Sequence, residues 1–199
     1  MSYKPLDFDW LENIIVPAID MFYETQTDRD LINKNISERT LIANIYYKMI
    51  LFFQNSKKSN KALQHLSIDV EYNRNTFDSK KAYMKCYSCT QDNCFVKKNN
   101  YCISKIVPDM IMHQRGSNDD NQVAIEFKKK CNKDKNQRNN DIAKLTYLTC
   151  QQPFDKNEKH NFKYRYGYFI DMDNYSYSIT SYENTEKKTM KTSKEGNWV

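Results

Sequence analysis

Two carboxylates and a lysine stand close together in the stretch 106–130. Asp109 follows a proline at the start of one short apolar run, and Glu126 and Lys128 lie inside a second run. The seven residues between the runs, 115–121, are rich in the Gly, Ser, Asn and Asp that favour turns. The stretch therefore predicts a β-hairpin that carries acidic and basic side chains on neighbouring strands.

The spacing of these groups suggests a metal-and-water site. Side chains alternate along a strand, so Glu126 and Lys128 share the face opposite Ile125 and Phe127. Carboxylates are the hard ligands that Mg²⁺ prefers, and a bound divalent ion activates water and neutralises phosphate charge. A lysine on the same face can orient water or stabilise a charged transition state. The alternative is that Glu126 and Lys128 form the solvated face of an edge strand.

The rest of the chain predicts an α/β protein with a mixed sheet flanked by helices. Helical spacing of apolar residues indicates a helix at 8–24, divided at Pro17, and a second helix that runs to about residue 54. Asn35 and Glu38 fit a variant capping box at the start of that second helix. The further predicted segments are a loop at 54–61, strands at 66–74, 164–172 and 175–181, a charged loop at 129–140 and a helix at 141–151.

Length and composition set broad limits. The 199 residues predict a single domain over 1–182 with a polar C-terminal tail at 183–199. The formal net charge of +6 permits a nucleic-acid partner without requiring one. No apolar run is long enough to span a membrane, and the first residues lack the apolar region of a signal peptide. We therefore expect a cytoplasmic protein with no membrane partner.

The pattern Pro-Asp at 108–109 followed by Ile-Glu-Phe-Lys at 125–128 resembles the PD-(D/E)xK nuclease superfamily, which has the restriction-endonuclease-like fold. The family core has the order αβββαβ, and the same order is predicted here over about residues 35–172. The resemblance implies a metal-dependent nuclease that hydrolyses DNA to 5′-phosphate and 3′-hydroxyl ends. The pathway could be phage defence, restriction, repair or mobile-element biology, and the sequence does not choose among them.

The resemblance also implies roles for individual residues. Asp109 and Glu126 would bind Mg²⁺ or Mn²⁺, with the carbonyl of Phe127 as a further ligand. Lys128 would act on the attacking water, and Glu38 on the first core helix would assist the metal. Glu71 is the alternative to Glu38 for completing the site.

Four of the six cysteines cluster in a predicted insertion at about 84–104. A pair with the spacing C-x2-C begins the cluster, as in many structural zinc sites, although the second pair is more widely spaced. The alternatives are free thiols in a loop and an iron–sulfur cluster. The four predicted Zn²⁺ ligands are Cys86, Cys89, Cys94 and Cys102.

Two other functions remain open at this stage. The first is a catalytically inactive nucleic-acid-binding domain of the same fold, and the second is a zinc-stabilised adaptor domain. The intact set of Asp109, Glu126 and Lys128 favours the enzyme. A nuclease of this length could form a homodimer to cut both strands, but the sequence identifies no interface.

Overall fold

The computed structural model describes residues 6–33, 36–71, 74–75, 78–79, 81–85, 97–98, 101–151, 162–184 and 186–192. Between 72 and 105 the description covers the backbone of the strands and not their side chains. These residues form an α/β structure in which a mixed six-stranded sheet is flanked by helices, as the sequence predicts.

The described residues contain four α-helices and eleven strands. Two shorter helical segments, Leu11–Ile15 and Lys61–Leu63, precede the first α-helix and the first strand. The helices are α1 (Val16–Tyr23), α2 (Gln26–Asn33), α3 (Glu38–Ser59) and α4 (Lys135–Thr149). The strands are β1 (Leu66–Val70), β2 (Arg74–Asn75), β3 (Asp78–Ser79), β4 (Lys81–Lys85), β5 (Lys97–Lys98), β6 (Tyr101–Lys105), β7 (Met110–Gln114), β8 (Asn121–Lys129), β9 (Tyr166–Met172), β10 (Tyr177–Glu183) and β11 (Glu186–Thr192).

The large sheet has the strand order β1-β7-β8-β9-β10-β11. Its neighbouring strands are antiparallel except for β8 and β9, which are parallel and are connected through α4. A crossover helix is the usual connection between parallel neighbours, because the chain must return to the same end of the sheet. The predicted hairpin at 106–130 is confirmed as β7 and β8, and β8 is a central strand.

Apolar side chains cover both faces of the sheet and form two cores. Ile125 and Phe127 of β8 belong to the larger core, which also contains buried residues of α1 and α3. Ala124 of β8 belongs to the smaller core with Leu145 and Leu148 of α4. The described helices and the large sheet therefore form three layers, and α4 lies over the face of β8 that carries the even-numbered residues.

Gly167 of β9 allows α4 to approach the sheet closely. A Cβ atom added at this position would lie 3.0 Å from the Thr149 side chain and 3.4 Å from Cβ of Leu145. The absence of a side chain at Gly167 therefore helps to fix the distance between α4 and β8.

The start of α3 differs from the predicted capping box. Ser37 is the N-cap, and its hydroxyl accepts a hydrogen bond from the Thr40 N–H. The prediction that Asn35 caps the helix is wrong, and Glu38 is the first helical residue. The predicted loop at 54–61 is also wrong over its first part, because α3 continues to Ser59.

The start of α4 was also predicted incorrectly. The carboxylate of Asp134 caps the helix by accepting hydrogen bonds from the Asn136 and Gln137 N–H groups, at 2.9 and 3.1 Å. The helix consequently begins six residues before the predicted start at Asp141 and takes over much of the charged loop predicted at 129–140. Asp141 lies inside the helix.

Two predicted strand limits also change. β1 ends at Val70, and Glu71 after it has a left-handed φ of 46° that is not compatible with an extended strand. The tail predicted from 183 onwards contains β11, which pairs with β10 and extends the sheet to Thr192. The predicted strands at 164–172 and 175–181 are confirmed as β9 and β10, with ends shifted by two residues.

Candidate active site

Asp109 lies just before β7 and is tied to β8 by one hydrogen bond. Its Oδ2 atom accepts the Phe127 N–H at 2.7 Å. Burial raises the pKa of Asp109 to about 6, and the negative charge of Asp141 also raises it. The hydrogen bond from Phe127 and the positive charges of Lys144 and Lys128 act to lower this pKa. The hydrogen bond holds the Asp109 carboxylate beside the strand that carries Glu126 and Lys128.

Glu126 is buried at the centre of the sheet. Its residue surface is only 1% exposed, and β8 has a hydrogen-bonded neighbour on each side. Burial holds the pKa of Glu126 well above its usual range, and the negative charge of Asp109 raises it further. The alternative reading, in which Glu126 and Lys128 form the solvated face of an edge strand, is therefore wrong.

Lys128 lies between two carboxylates. Its Nζ is 2.9 Å from Oδ2 of Asp141 and 3.2 Å from Oε2 of Glu38. Burial acts to lower the pKa of Lys128, but the hydrogen bond and charge of Asp141, together with Glu38, raise it above its usual value. Lys128 is therefore a protonated donor in this structure.

Glu38 reaches the site from the first turn of α3. Besides its contact with Lys128, its Oε1 lies 3.5 Å from the backbone N–H of Lys129. The ammonium of Lys129 donates to the carbonyls of Leu31 and Ile36, at 2.8 and 2.9 Å. Lys129 thus anchors the chain that leads into α3 and holds Glu38 next to β8.

Two further residues that the sequence patterns did not identify, Asp141 and Lys144, also belong to the site. Both lie on α4, spaced i and i+3, and face β8. The Lys144 Nζ is 2.8 Å from each carboxylate oxygen of Glu126 and 2.8 Å from Oδ1 of Asp141. Burial acts to lower the pKa of Lys144, but the charges of Glu126 and Asp141 raise it well above its usual range. The signal was available, because Asp141 and Lys144 share a helix face with Leu145 and Leu148 once the helix is begun at 135.

Glu71 has a different environment. Its backbone N–H donates to the carbonyl of Asp109 at 3.0 Å, but its carboxylate pairs with the exposed Arg39 at 2.6 Å. Glu38 and Glu71 were the two acidic residues considered for completing the site. In the structure Glu38 contacts Lys128, whereas the Glu71 side chain forms an exposed ion pair outside the site.

We refer to Glu38, Asp109, Glu126, Lys128, Asp141 and Lys144 as the acid-rich cluster. Its four carboxylates and two ammonium groups leave two formal negative charges when all six groups are ionised. Burying charge in this way is costly unless cations offset it. The cluster is therefore an environment in which an additional divalent cation would be stabilised.

The donor atoms also suit a hard cation. Glu126 Oε1 and Asp141 Oδ2 are buried, and each is in an ion pair with a lysine nitrogen, at 2.8 and 2.9 Å. Within the described residues, no group of three or more His, Cys, Asp and Glu side chains is arranged to hold a metal ion. Mg²⁺ commonly takes only one or two carboxylates and completes its shell with water and substrate, so the cluster fits this ion.

The predicted zinc ligands lie outside the side chains that the structure describes. Cys86, Cys89 and Cys94 belong to segments without a description, and Cys102 lies in β6, where only the backbone is described. β6 is the middle strand of a separate three-stranded sheet with the order β4-β6-β5. The zinc site stays a prediction.

Comparison of the chain with protein-family models, with curated proteins and with solved structures gives no match. No helix within the described ranges combines the length and apolar character needed to cross a membrane. The function of the acid-rich cluster must therefore be inferred from its geometry and charge.

Proposed function

We propose that this chain is a Mg²⁺- or Mn²⁺-dependent nuclease of the PD-(D/E)xK type that hydrolyses phosphodiester bonds in DNA. The observation that carries the proposal is the acid-rich cluster itself. A buried excess of carboxylate, built on two neighbouring central strands and combined with protonated lysines, suits a divalent cation and a phosphate substrate. The expected products have 5′-phosphate and 3′-hydroxyl ends.

The order of the elements around the cluster supports the same proposal. Strands β2 to β6 lie between β1 and β7 in the chain and outside the large sheet. Apart from them, helix α3, strands β1, β7 and β8, helix α4 and strand β9 have the order αβββαβ. Asp109 precedes the second of these strands, and Glu126 and Lys128 lie in the third. This is the arrangement that the resemblance to the superfamily implies for a restriction-endonuclease-like core.

In this proposal Asp109 and Glu126 hold the metal ion. When bound, the ion supplies charge neutralisation at the phosphate, a lower pKa for bound water and stabilisation of the leaving oxygen. The raised pKa values of both carboxyl groups support this assignment, because a bound cation would offset the burial that raises both values and the charge of Asp109 that further raises the pKa of Glu126.

Lys128 acts as a cationic donor. Its pKa is raised, so the amine stays protonated and is poorly suited to remove a proton from water. A protonated amine can instead orient the water or stabilise the negative charge that develops on the phosphate. Glu38 and Asp141 position this amine through their contacts at 3.2 and 2.9 Å.

A cleavage assay tests the proposed function. The purified chain is incubated with linear, circular and single-stranded DNA and with RNA, in Mg²⁺, in Mn²⁺ and in a chelator. Asp109→Ala and Lys128→Ala are each expected to reduce the cleavage rate by at least about 100-fold, because each removes a group that acts on the reacting phosphate or its metal. Glu71→Ala, a change at an exposed ion pair, is the matched control.

Two outcomes would contradict the proposal. Cleavage that persists in both Asp109→Ala and Lys128→Ala would place the activity elsewhere or in a contaminant. Binding of DNA without cleavage in either metal would favour the inactive nucleic-acid-binding domain.

A further inference from the structure

Lys144 is held in an unusual way for a lysine on a helix surface. An ordinary i,i+3 ion pair would join it to Asp141 alone and leave both groups in water. Here the Lys144 Nζ also lies 2.8 Å from both oxygens of the fully buried Glu126. Three carboxylate oxygens from two side chains therefore surround one nitrogen at the same distance of 2.8 Å.

The three contacts match the three N–H donors of a lysine ammonium, and the contact with Glu126 Oε2 is a hydrogen bond. The contact with Glu126 Oε1 has ion-pair distance but lacks hydrogen-bond geometry. The second cation of the cluster, Lys128, occupies the other oxygen of Asp141. The two lysines thus share Asp141, and Lys144 alone neutralises Glu126 among the described contacts.

We propose that Lys144 is a resident cation that occupies the carboxylates of Glu126 and Asp141 in the metal-free protein and leaves Glu126 when a divalent ion binds. The inference rests on the proposed function, because it concerns the same metal site. The exchange replaces one cation by another at the carboxylates, and a proton held on Glu126 in the metal-free protein is released to solvent. Lys144 then has two effects, which are to keep the acid-rich cluster folded without metal and to weaken metal binding by competition.

Isothermal titration calorimetry with Mn²⁺ tests this role. Lys144→Met removes the competing charge and is expected to tighten Mn²⁺ binding by about tenfold or more, because the repulsion of a unit charge a few ångströms away is lost. Lys130→Met is the matched control, since it removes the same formal charge from an ion pair with Asp173 outside the cluster. The control is expected to bind Mn²⁺ within about twofold of the unaltered protein, since more distant exposed charges are largely screened.

Two further variants guard against misfolding of Lys144→Met. Lys144→Gln keeps an N–H donor for the carboxylates and is expected to tighten Mn²⁺ binding in the same direction. The double variant Glu126→Gln with Lys144→Met has no buried unpaired carboxylate at 126, and it is expected to fold and to bind Mn²⁺ more weakly than Lys144→Met. Thermal unfolding with and without Mn²⁺ gives a second readout, in which Mn²⁺ raises the melting temperature of Lys144→Met more than that of the unaltered protein.

The outcomes separate this inference from the proposed function. If the unaltered protein binds Mn²⁺ and neither Lys144 variant binds it more tightly, the competition is disproved and the nuclease proposal survives. If neither the unaltered protein nor the variants bind Mn²⁺, the metal-dependent function and the inference both fail. Binding that appears only in the Lys144 variants would contradict the displacement of Lys144 in the unaltered protein, and the metal-dependent function with it.

Discussion

The acid-rich cluster contrasts with a second group of ionised side chains on the same sheet. In that second group, which we call the balanced cluster, Asp69 of β1 contacts His113 at 2.9 Å and Arg115 through both of its carboxylate oxygens. Burial acts to raise the pKa of Asp69, but the hydrogen bonds from Arg115 and His113 hold it well below its usual range.

The difference lies in how the carboxylates are matched with cations. Asp69 is a single carboxylate with two basic partners, so its ionised form is stabilised by the fold itself. The acid-rich cluster has more carboxylates than ammonium groups, and the pKa values of Asp109 and Glu126 rise instead. A balanced group stabilises the folded chain, whereas an unbalanced one is maintained at a cost to stability that a functional ligand can offset.

The largest expected effect concerns Lys144. Lys144→Met leaves the buried Glu126 without its counterion, so the free energy of unfolding without metal should fall by about 3 kcal/mol. Arg115→Met in the balanced cluster should cost only about 1 kcal/mol, because Arg115 is largely exposed and His113 still contacts Asp69. Urea unfolding in a chelator measures both, and equal losses would remove the contrast between the clusters.

Neutralising one acid in each cluster should change the free energy of unfolding differently, with a loss in the balanced cluster and no loss in the acid-rich cluster. Asp69→Asn removes a well-paired charge and should lower the free energy of unfolding by about 2 kcal/mol. Glu126→Gln relieves burial and repulsion of a charge and should leave the metal-free stability unchanged or raise it by up to about 1 kcal/mol. The same Glu126→Gln protein should lose Mn²⁺ binding. A large loss of stability in Glu126→Gln would mean that this residue serves the fold.

The pH dependence of stability should differ in sign between the clusters. Asp109 has a folded-state pKa of about 6, against about 4 for an unfolded aspartate. The folded state therefore binds this proton more tightly, and metal-free stability falls as pH rises from about 4 to about 6, by roughly 1–2 kcal/mol. Asp69 has a lowered pKa, so its contribution is present above pH of about 4 and is lost as pH falls further.

Chemical denaturation across this pH range tests the assignment. Asp109→Asn should flatten the decline between pH of about 4 and 6, and Asp69→Asn should reduce the loss of stability at lower pH. Identical pH profiles for the unaltered protein and Asp109→Asn would contradict the raised pKa of Asp109.

The smallest expected effect is at Glu71. Its ion pair with Arg39 is exposed, so Glu71→Ala should change stability by only a few tenths of a kcal/mol. The cleavage rate of Glu71→Ala should stay within about twofold of that of the unaltered protein. Glu38→Ala should instead reduce the cleavage rate, because it removes a carboxylate that positions Lys128. A strong loss of cleavage in Glu71→Ala would instead make Glu71 the residue that completes the site.

The sequence predicts the strands of the cluster better than their surroundings. Alternation of apolar and polar residues in β8 identifies the strand and the shared face of Glu126 and Lys128. The same alternation is typical of a half-solvated strand, so burial of that face could not be predicted without locating α4 above it. Asp134 lies in a highly charged stretch, and its role as the N-cap of α4 becomes recognisable only with the helix in place.

The position of Glu38 was inferred through an incorrect local structure. The spacing of Asn35 and Glu38 suggested a capping box, which would have used the Glu38 carboxylate at its own helix end. Because Ser37 is the cap, the carboxylate of Glu38 is available to contact Lys128 of a strand 90 residues later in the chain. Contacts between such distant residues depend on the packing of α3 against the sheet, which local sequence patterns do not specify.

Anomalous X-ray diffraction from Mn²⁺-soaked crystals tests the central claim most directly. The account predicts an anomalous peak bounded by the carboxylates of Asp109 and Glu126, with the Lys144 ammonium displaced from Glu126. The absence of a peak at these carboxylates under saturating Mn²⁺, with Lys144 still in contact with Glu126, would contradict it.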